Sequence, residues 1–352
     1  LNNMVKIHVF DDSFNSAQRL NNISFYMTCK GEEAAVTASC AALDPEDSIY
    51  PQYREAAALL YRGFPTKDMT NQLTGNYLDV GKGRQMPVHY GSSKFNYQTV
   101  SSPLATQIPQ ASGAGYLYRV NKANKVCMTY FGEGAASEGD FHAGLNFAAT
   151  LDSQTIFFCR NNKYAISTSF QDQYRGDGIA ARGPGYGIRT IRIDGNDVLG
   201  VYNAVLQARK ISVEEGKPIL IEAMSFRGGD HSTSDFSPNY RTKKIMEGWE
   251  DYLKSLGDPI NRWEKYCLRK GWIQEDTIKG WKKEFKLEAK ECLKYSMGQK
   301  KPSIKSMFED TYDKIPEILK EQEKELTEHL EKYGSHYELH SYFEEEKDKA
   351  SH

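Results

Sequence analysis

The stretch KVCMTYFGEGAASEGD, residues 125–140, decides the fold. Val126 to Phe131 is a short apolar run of buried-strand length. Gly132-Glu133-Gly134 is a turn, and from Asp140 to Leu151 the residues Phe141, Leu145 and Ala148 recur at helical spacing. A strand that enters a glycine turn and leaves it as a helix opens a βα unit. The turn begins like a dinucleotide fingerprint, G-x-G-x-x, and then departs from it. Ser137 holds the third glycine position, and Glu133, Glu138 and Asp140 crowd a loop that ought to attract phosphate. The ribose-binding acid of such a site, about 20 residues beyond the first glycine, would be Asp152, which precedes the next strand instead of ending it. A nicotinamide site therefore does not fit.

Outward from this unit the alternation continues. TIFFCRNN (155–162) is a strand ending on polar residues, and TIRIDGND (190–197) is a strand with an Asp-Gly turn. DVLGVYNAVLQARKISVEEG (197–216) is an amphipathic helix with glycine at its stop, and KPILIEAMSFR (217–227) is a strand apolar enough for a buried sheet. Repeated strand–helix–strand units predict an α/β fold, a doubly wound and mainly parallel sheet with flanking helices. Ligands belong at the carboxyl ends of its strands. We place this domain at 1–240. From 241 to 352 the text turns helical and rich in Lys and Glu, an extension packing on the same domain, with a frayed tail in FEEEKDKASH (343–352).

Composition narrows the function. The 352 residues are 39% hydrophobic and 26% charged, the profile of a globular protein, and the formal net charge of -2 gives no electrostatic case for nucleic acid or an anionic membrane. No apolar run reaches membrane-spanning length, which argues against insertion. Six scattered cysteines form no C-x-x-C pair, so neither a zinc site nor a disulfide framework is indicated and a reducing interior is the plain reading. The chain begins at Leu1, as a processed or trimmed chain does, so any targeting peptide would lie upstream.

The acids of the glycine loop make sense around a divalent cation. Mg²⁺ takes oxygen ligands in a near-octahedral shell, commonly one or two carboxylates completed by substrate phosphates. Glu133 at one predicted strand end and Asn162 at the next lie 29 positions apart and would hold such a cation against a diphosphate. The backbone N–H groups of Gly132, Gly134 and Ala135 can approach the phosphates, and Arg160 offers a planar fork of donors. For G-E-G alone, an ordinary tight turn with solvated acids is the alternative; the RNN at the next strand end favours the cation.

These blocks resemble the thiamin diphosphate motif of the transketolase-like superfamily, which opens on G-[D/E]-G and closes on Asn-Asn. The resemblance is closest to the alpha subunit of the branched-chain 2-oxoacid dehydrogenase decarboxylase component. It is carried by YFGEGAASEGD, FFCRNNKYAIST, YRGDGIAARGPGYGI, PQYREA, GKGRQMPVHYG and SSPLATQIPQASGAGY, and runs from about ISFYMT (23–28) to YGSHY (333–337). It implies thiamin diphosphate as cofactor, with Glu133, the Asn162 side chain and the Tyr164 carbonyl ligating Mg²⁺. Tyr53, Arg54, Arg160 and Arg227 would surround the diphosphate, with Ser102 and Leu104 also in the cofactor site. Ser101, Pro103, Thr106 and Gln107 match a K⁺ site; without the resemblance, SSPLATQ reads as a helix start capped by Ser102. In RGGDHSTSD (227–235), a Gly- and Ser-rich loop expected to be mobile, His231 matches a histidine that assists proton transfer, work suited to its ordinary pKa. Ser232 matches a regulatory phosphorylation serine; Asp230 and Thr242 depart from the family pattern, which leaves control by a kinase less secure than catalysis. His89 falls in a matching block near the site.

The implied reaction is decarboxylation of a 2-oxoacid with acyl transfer to a lipoyl group on an acyltransferase component. The acid that activates the cofactor ring has no motif here, and in the family it comes from a beta subunit in an alpha2beta2 heterotetramer. The implied location is the mitochondrial matrix in a eukaryote and the cytoplasm otherwise. A pyruvate or acetoin dehydrogenase alpha subunit, or a non-catalytic alpha-like subunit, remains as an alternative.

Overall fold

A computed structural model of the chain describes residues 1–253 and 257–344. The strands are β1 (Ser48–Tyr50), β2 (Cys127–Gly132), β3 (Thr155–Asn161), β4 (Tyr164–Ala165), β5 (Thr168–Ser169), β6 (Arg189–Asp194) and β7 (Ile219–Met224). Five of them form one sheet in the order β1-β2-β3-β7-β6, every pair parallel. Strands β4 and β5 make a separate antiparallel hairpin.

The strand sequences explain the layering. Every residue of β3 is buried, as are five of the six in β2 and in β7, so these strands cannot face water on either side. Along them alternate residues divide between two cores. Tyr130, Phe158 and Ile221 join the larger core with helices α1 (Asn2–Arg19), α2 (Glu33–Ala41) and α3 (Ala56–Tyr61). Phe131, Phe157, Cys159 and Leu220 join the smaller one, which includes Ile108 of α5 (Gln107–Val120) and Phe141, Leu145 and Ala148 of α6 (Gly139–Thr150). Period-2 side-chain direction thus builds a sheet with helices on both faces, the doubly wound arrangement expected.

The element bounds follow the sequence signals closely. Helix α8 (Val198–Glu215) starts at Asp197, whose carboxylate accepts the N–H groups of Leu199 and Gly200. It stops at Gly216, whose φ of 63° is the left-handed C-terminal signal. One reading is corrected: Ser102 caps no helix. Residues 101–106 form irregular turns, and α5 begins only at Gln107, after Ala105 has turned the chain with φ 69°.

Helix α4 (Thr66–Thr74) follows α3. Helix α7 (Phe170–Gln173) is a short element after the hairpin. Beyond Arg241 come α9 (Lys243–Tyr252), α10 (Pro259–Arg269), α11 (Thr277–Met297) and α12 (Glu317–Tyr333). Helix α11 lies against α1 and α4: Glu288 takes Lys6 at 2.8 Å and the Thr66 hydroxyl at 2.5 Å, and the Ser296 and Thr70 hydroxyls meet at 2.8 Å. Most of the frayed tail expected at 343–352 lies outside the described residues.

Candidate active site

Parallel register places the site. Gly132 of β2 is level with Arg160 of β3, and Arg160 with Ala223 of β7. The loops that leave these three strands therefore emerge side by side at one carboxyl edge. A cavity of about 380 Å³ opens there, and its wall includes Tyr53, Arg54, Ser102, Leu104, Gly132, Glu133, Gly134, Ala135, Arg160, Asn162, Tyr164, Arg227 and His231. Arg54 and His231, 177 positions apart in sequence, touch at this edge, where open α/β sheets gather their ligand-binding loops.

The three acids of the glycine loop have three fates. Glu138 is exposed, and Asp140 sits in the first turn of α6, where the helix dipole favours a negative charge. Glu133 is 1% exposed, and its Oε1 has no hydrogen-bond partner. Burial pushes its carboxyl pKa up to about 7, with neighbouring Glu32 adding to the rise. A buried acid with an orphaned oxygen is costly in isolation, and a cation relieves it. Asn162 is buried on the next loop. Its Nδ2 donates to Glu32 Oε1 at 2.7 Å, and its Oδ1 accepts the Tyr164 N–H at 3.2 Å. Among the described residues no three His, Cys, Asp or Glu side chains gather as a metal cluster. The donors on offer are one carboxylate, one amide oxygen and backbone carbonyls. They suit a hard cation that takes its remaining oxygens from phosphate.

Two glycines of the loop differ. A Cβ on Gly134 would lie 2.7 Å from the Ala165 Cβ, so the hairpin β4–β5 approaches too closely for any side chain. A Cβ on Gly132 would meet nothing nearer than 3.6 Å, and the Gly132 N–H is already bound to Gln52 Oε1 at 2.5 Å. The donors left for phosphate belong to the turn that starts at Gly134 and Ala135, whose first N–H groups have no acceptor within it.

Arg160 lines the cavity and is also ion-paired behind it. It is fully buried between Glu32, at 2.5 Å from Nη1, and Glu55, at 2.6 Å from Nε. Burial works against its charge, but these two carboxylates hold its pKa above the usual arginine value. Nη1 is bound to Glu32, while Nη2 reaches only Gln52 Oε1 at 3.5 Å and is the end of the guanidinium left for an anion. Arg54 and Arg227 are the other cations in the cavity wall. Arg227 is buried with Nη1 unpartnered, while Nη2 binds the Ile166 carbonyl at 2.9 Å and the Tyr240 hydroxyl at 2.6 Å. Burial and the neighbouring charges of Arg241 and Arg54 lower its pKa, the signature of a cationic pocket short of anions.

His231 is set by Arg54. The guanidinium Nη2 donates to His231 Nδ1 at 3.1 Å and to the His231 carbonyl at 2.6 Å. With Nδ1 an acceptor, the proton belongs on Nε2. Burial, then Arg54 and Arg227, push the imidazole pKa down to about 3. The ordinary value expected from sequence therefore does not hold, and the ring is neutral at physiological pH. The Tyr53 ring stands edge-on to it at 5.9 Å. The loop that carries it is tied at several points. Thr233 and Tyr26 exchange two bonds at 3.0 and 3.1 Å, and Asp235 accepts the His231 N–H at 2.7 Å. Ser232, half-buried, accepts the Ser234 N–H at 3.2 Å.

Of the segment read as a K⁺ site, Ser102 and Leu104 line the cavity, but Ser101, Pro103, Thr106 and Gln107 do not. The Thr106 hydroxyl donates to the Pro103 carbonyl at 3.1 Å. Gln107 Nε2 donates to the Tyr130 carbonyl at 2.9 Å, which leaves its Oε1 as the free end. His89 reaches the site through Ser102, with Nε2 2.6 Å from the hydroxyl. Sequence reasoning missed Gln52, Glu55 and Glu32. The first two lie inside the quoted PQYREA, whose arginine drew the attention; Glu32 has no local motif.

A model of the dehydrogenase E1 component family matches residues 2–305. The chain belongs to that family. The human 2-oxoisovalerate dehydrogenase subunit alpha, mitochondrial, is 50% identical over 336 residues, covering 96% of this chain and 75% of the human protein. The protein of the same name from Dictyostelium discoideum is 50% identical over 340 residues, 96% of this chain and 76% of its own. The 2-oxoisovalerate dehydrogenase subunit alpha 1, mitochondrial, of Arabidopsis thaliana is 46% identical over 334 residues, 95% and 70% respectively. This is the family that the glycine-loop and RNN blocks resemble. Membership implies thiamin diphosphate as the cofactor of this E1 chain. No described helix is long and apolar enough to cross a membrane.

Proposed function

We propose that this chain is the alpha subunit of a thiamin diphosphate-dependent dehydrogenase for branched-chain 2-oxoacids, mitochondrial like its named relatives and complete only with a beta subunit in an alpha2beta2 assembly. The observation that carries the reading is the orphaned, buried Glu133 carboxylate beside the Asn162 amide, in one cavity with Arg54, Arg227 and His231. When bound, thiamin diphosphate supplies the electron sink that decarboxylation of a 2-oxoacid requires. Glu133, Asn162 Oδ1 and the Tyr164 carbonyl would hold Mg²⁺, and Arg54, Arg227 and the Gly134–Ala135 turn would hold the diphosphate. Arg160, in the same wall, would add its Nη2 to the diphosphate while it fixes Glu32 and Glu55.

His231 presents Nε2–H from a neutral ring, so it would position a reacting oxygen by donating a hydrogen bond instead of acting as an imidazolium acid. The acids in the cavity wall are Glu133 and the exposed Glu138; the group that activates the cofactor ring comes from the beta subunit. A lipoyl-bearing acyltransferase takes the acyl group. The oxygens of Ser101, Pro103 and Thr106, on the turns ahead of α5, and of Gln107, its first residue, would serve K⁺. Ser232, one residue from His231, is the place where a kinase would act, because added negative charge there would compete for Arg54 and break the Asp235 tie to the His231 N–H. The helices beyond 240 brace the same domain through α11. Reconstitution with the beta subunit tests the function. Branched-chain 2-oxoacids should be turned over with kcat/KM well above that for pyruvate, and the alpha chain alone should turn over none. A preference for pyruvate, or turnover by the single chain, would overturn it.

A further inference from the structure

Glu32 stands directly ahead of α2, 128 positions from Arg160 and 130 from Asn162, and is 1% exposed. Its Oε2 is fixed by Arg160 Nη1 at 2.5 Å, and its Oε1 accepts Asn162 Nδ2 at 2.7 Å and the Ser225 hydroxyl at 3.5 Å. An asparagine amide has two ends of nearly equal size and opposite polarity, and its partners alone decide which end faces where. An ionised carboxylate only accepts, so it can hold the NH₂ end and must reject the oxygen end. Arg160 keeps Glu32 from rotating, and Glu55 in turn holds Arg160 at 2.6 Å while accepting the N–H groups of Gln52 and Tyr53 at 3.0 and 2.9 Å. A buried relay thus runs from Glu55 through Arg160 and Glu32 to Asn162.

We propose that Glu32 is the positioning residue of the metal site. It turns Asn162 so that Oδ1 is the ligand end, and it places a second negative charge behind that ligand. The inference rests on the reading of Asn162 as a Mg²⁺ ligand. A role as the counter-ion of Arg160 alone does not account for it, because Glu55 already pairs with Arg160 and the Asn162 bond uses the other Glu32 oxygen. Partners behind a metal ligand commonly change metal affinity by about 10- to 100-fold.

The test titrates thiamin diphosphate calorimetrically into the alpha–beta complex at a series of Mg²⁺ concentrations, and reads the Mg²⁺ needed for half-maximal binding. In Glu32→Gln, the new amide gives its oxygen to Arg160 and turns its NH₂ onto Asn162, whose own amide must then offer NH₂ to the cation. The Mg²⁺ requirement should rise about 10- to 100-fold. Asn162→Asp sets carboxylate against carboxylate and should weaken binding similarly. The double variant Glu32→Gln/Asn162→Asp reverses the polarity of the bond, keeps the number of buried carboxylates, and leaves one oxygen of the new carboxylate at position 162 for the cation. Its requirement should return to within about threefold of wild type. An unchanged requirement in Glu32→Gln, or a double variant no better than the singles, overturns the proposal. If a single variant does not assemble with the beta subunit, the double decides alone: near-normal Mg²⁺-dependent binding supports the proposal, and its loss overturns it. Glu133→Gln measured alongside separates the two claims. If it too leaves the Mg²⁺ requirement unchanged, the metal assignment fails; if only Glu32→Gln is silent, the role of Glu32 alone fails.

Discussion

Replacing Glu133 by Gln should stabilise the metal-free protein while it destroys metal binding. The carboxyl pKa is pushed from an ordinary 4.5 to about 7, burial being the main cause. Between those values the unfolded chain has released the proton and the folded chain keeps it, so stability falls as pH rises through the window and is lowest above about 7. A shift of about 2.5 units corresponds to roughly 3 kcal/mol at pH 8. At pH 5 most of that cost has not yet arisen, and less than about 1 kcal/mol separates the two side chains. Glutamine keeps the shape and carries no charge at either pH. In EDTA at pH 8, Glu133→Gln should therefore melt a few degrees above wild type, and at pH 5 close to it. Mg²⁺ with thiamin diphosphate should reverse the order, because only wild type gains stability from the bound ligands. Calorimetric scans of the alpha–beta complex at the two pH values measure all four midpoints. If the variant melts at or below wild type at pH 8 in EDTA, or if its gain is equal at both pH values, Glu133 does not carry a strained buried charge and the argument fails.

Gly134→Ala should destabilise the metal-free complex by the roughly 1–3 kcal/mol typical of overpacking, read as a lower melting point, because its Cβ falls 2.7 Å from the Ala165 Cβ. Gly132→Ala, with 3.6 Å of clearance, should cost clearly less, and equal losses would refute the close approach of the hairpin. For His231, whose pKa is pushed down to about 3, the unfolded state binds more protons between pH 3 and 6.5, so stability is full above 6.5 and is lost as pH falls. His231→Asn should flatten that part of the midpoint-against-pH curve, and an unchanged slope would show that the ring titrates normally.

The fold was legible where local chemistry and tertiary context agree. The apolar runs read at 126–131, 155–162 and 217–227, which form strands at 127–132, 155–161 and 219–224, and the Gly216 stop of α8, each act through their own neighbours, so the text predicts them; the Asp197 cap was not read from the text. Strand β1 is three residues long at the sheet edge, too short to show a period. Glu133 and Asn162 were legible because a strand end and a motif mark each of them. The ion pairs of Arg160 were not legible, because its partners Glu32 and Glu55 come from distant segments that only the fold brings together. The same holds for the pKa of His231: an ordinary histidine becomes a neutral one through Arg54, which lies 177 positions away. The Ser102 cap failed because Ala105 adopts a left-handed turn that no propensity at that position foretells.

The central claim is that Glu133 supplies the carboxylate of a Mg²⁺–thiamin diphosphate site. Calorimetric titration of thiamin diphosphate into the alpha–beta complex, with and without Mg²⁺, for wild type and Glu133→Gln, tests it most directly. Wild type should bind one cofactor per alpha–beta unit in a strictly Mg²⁺-dependent manner, and Glu133→Gln should lose at least about a hundredfold in affinity at the same Mg²⁺ concentration. Binding that is indifferent to Mg²⁺, or an unchanged affinity in Glu133→Gln, would contradict the account.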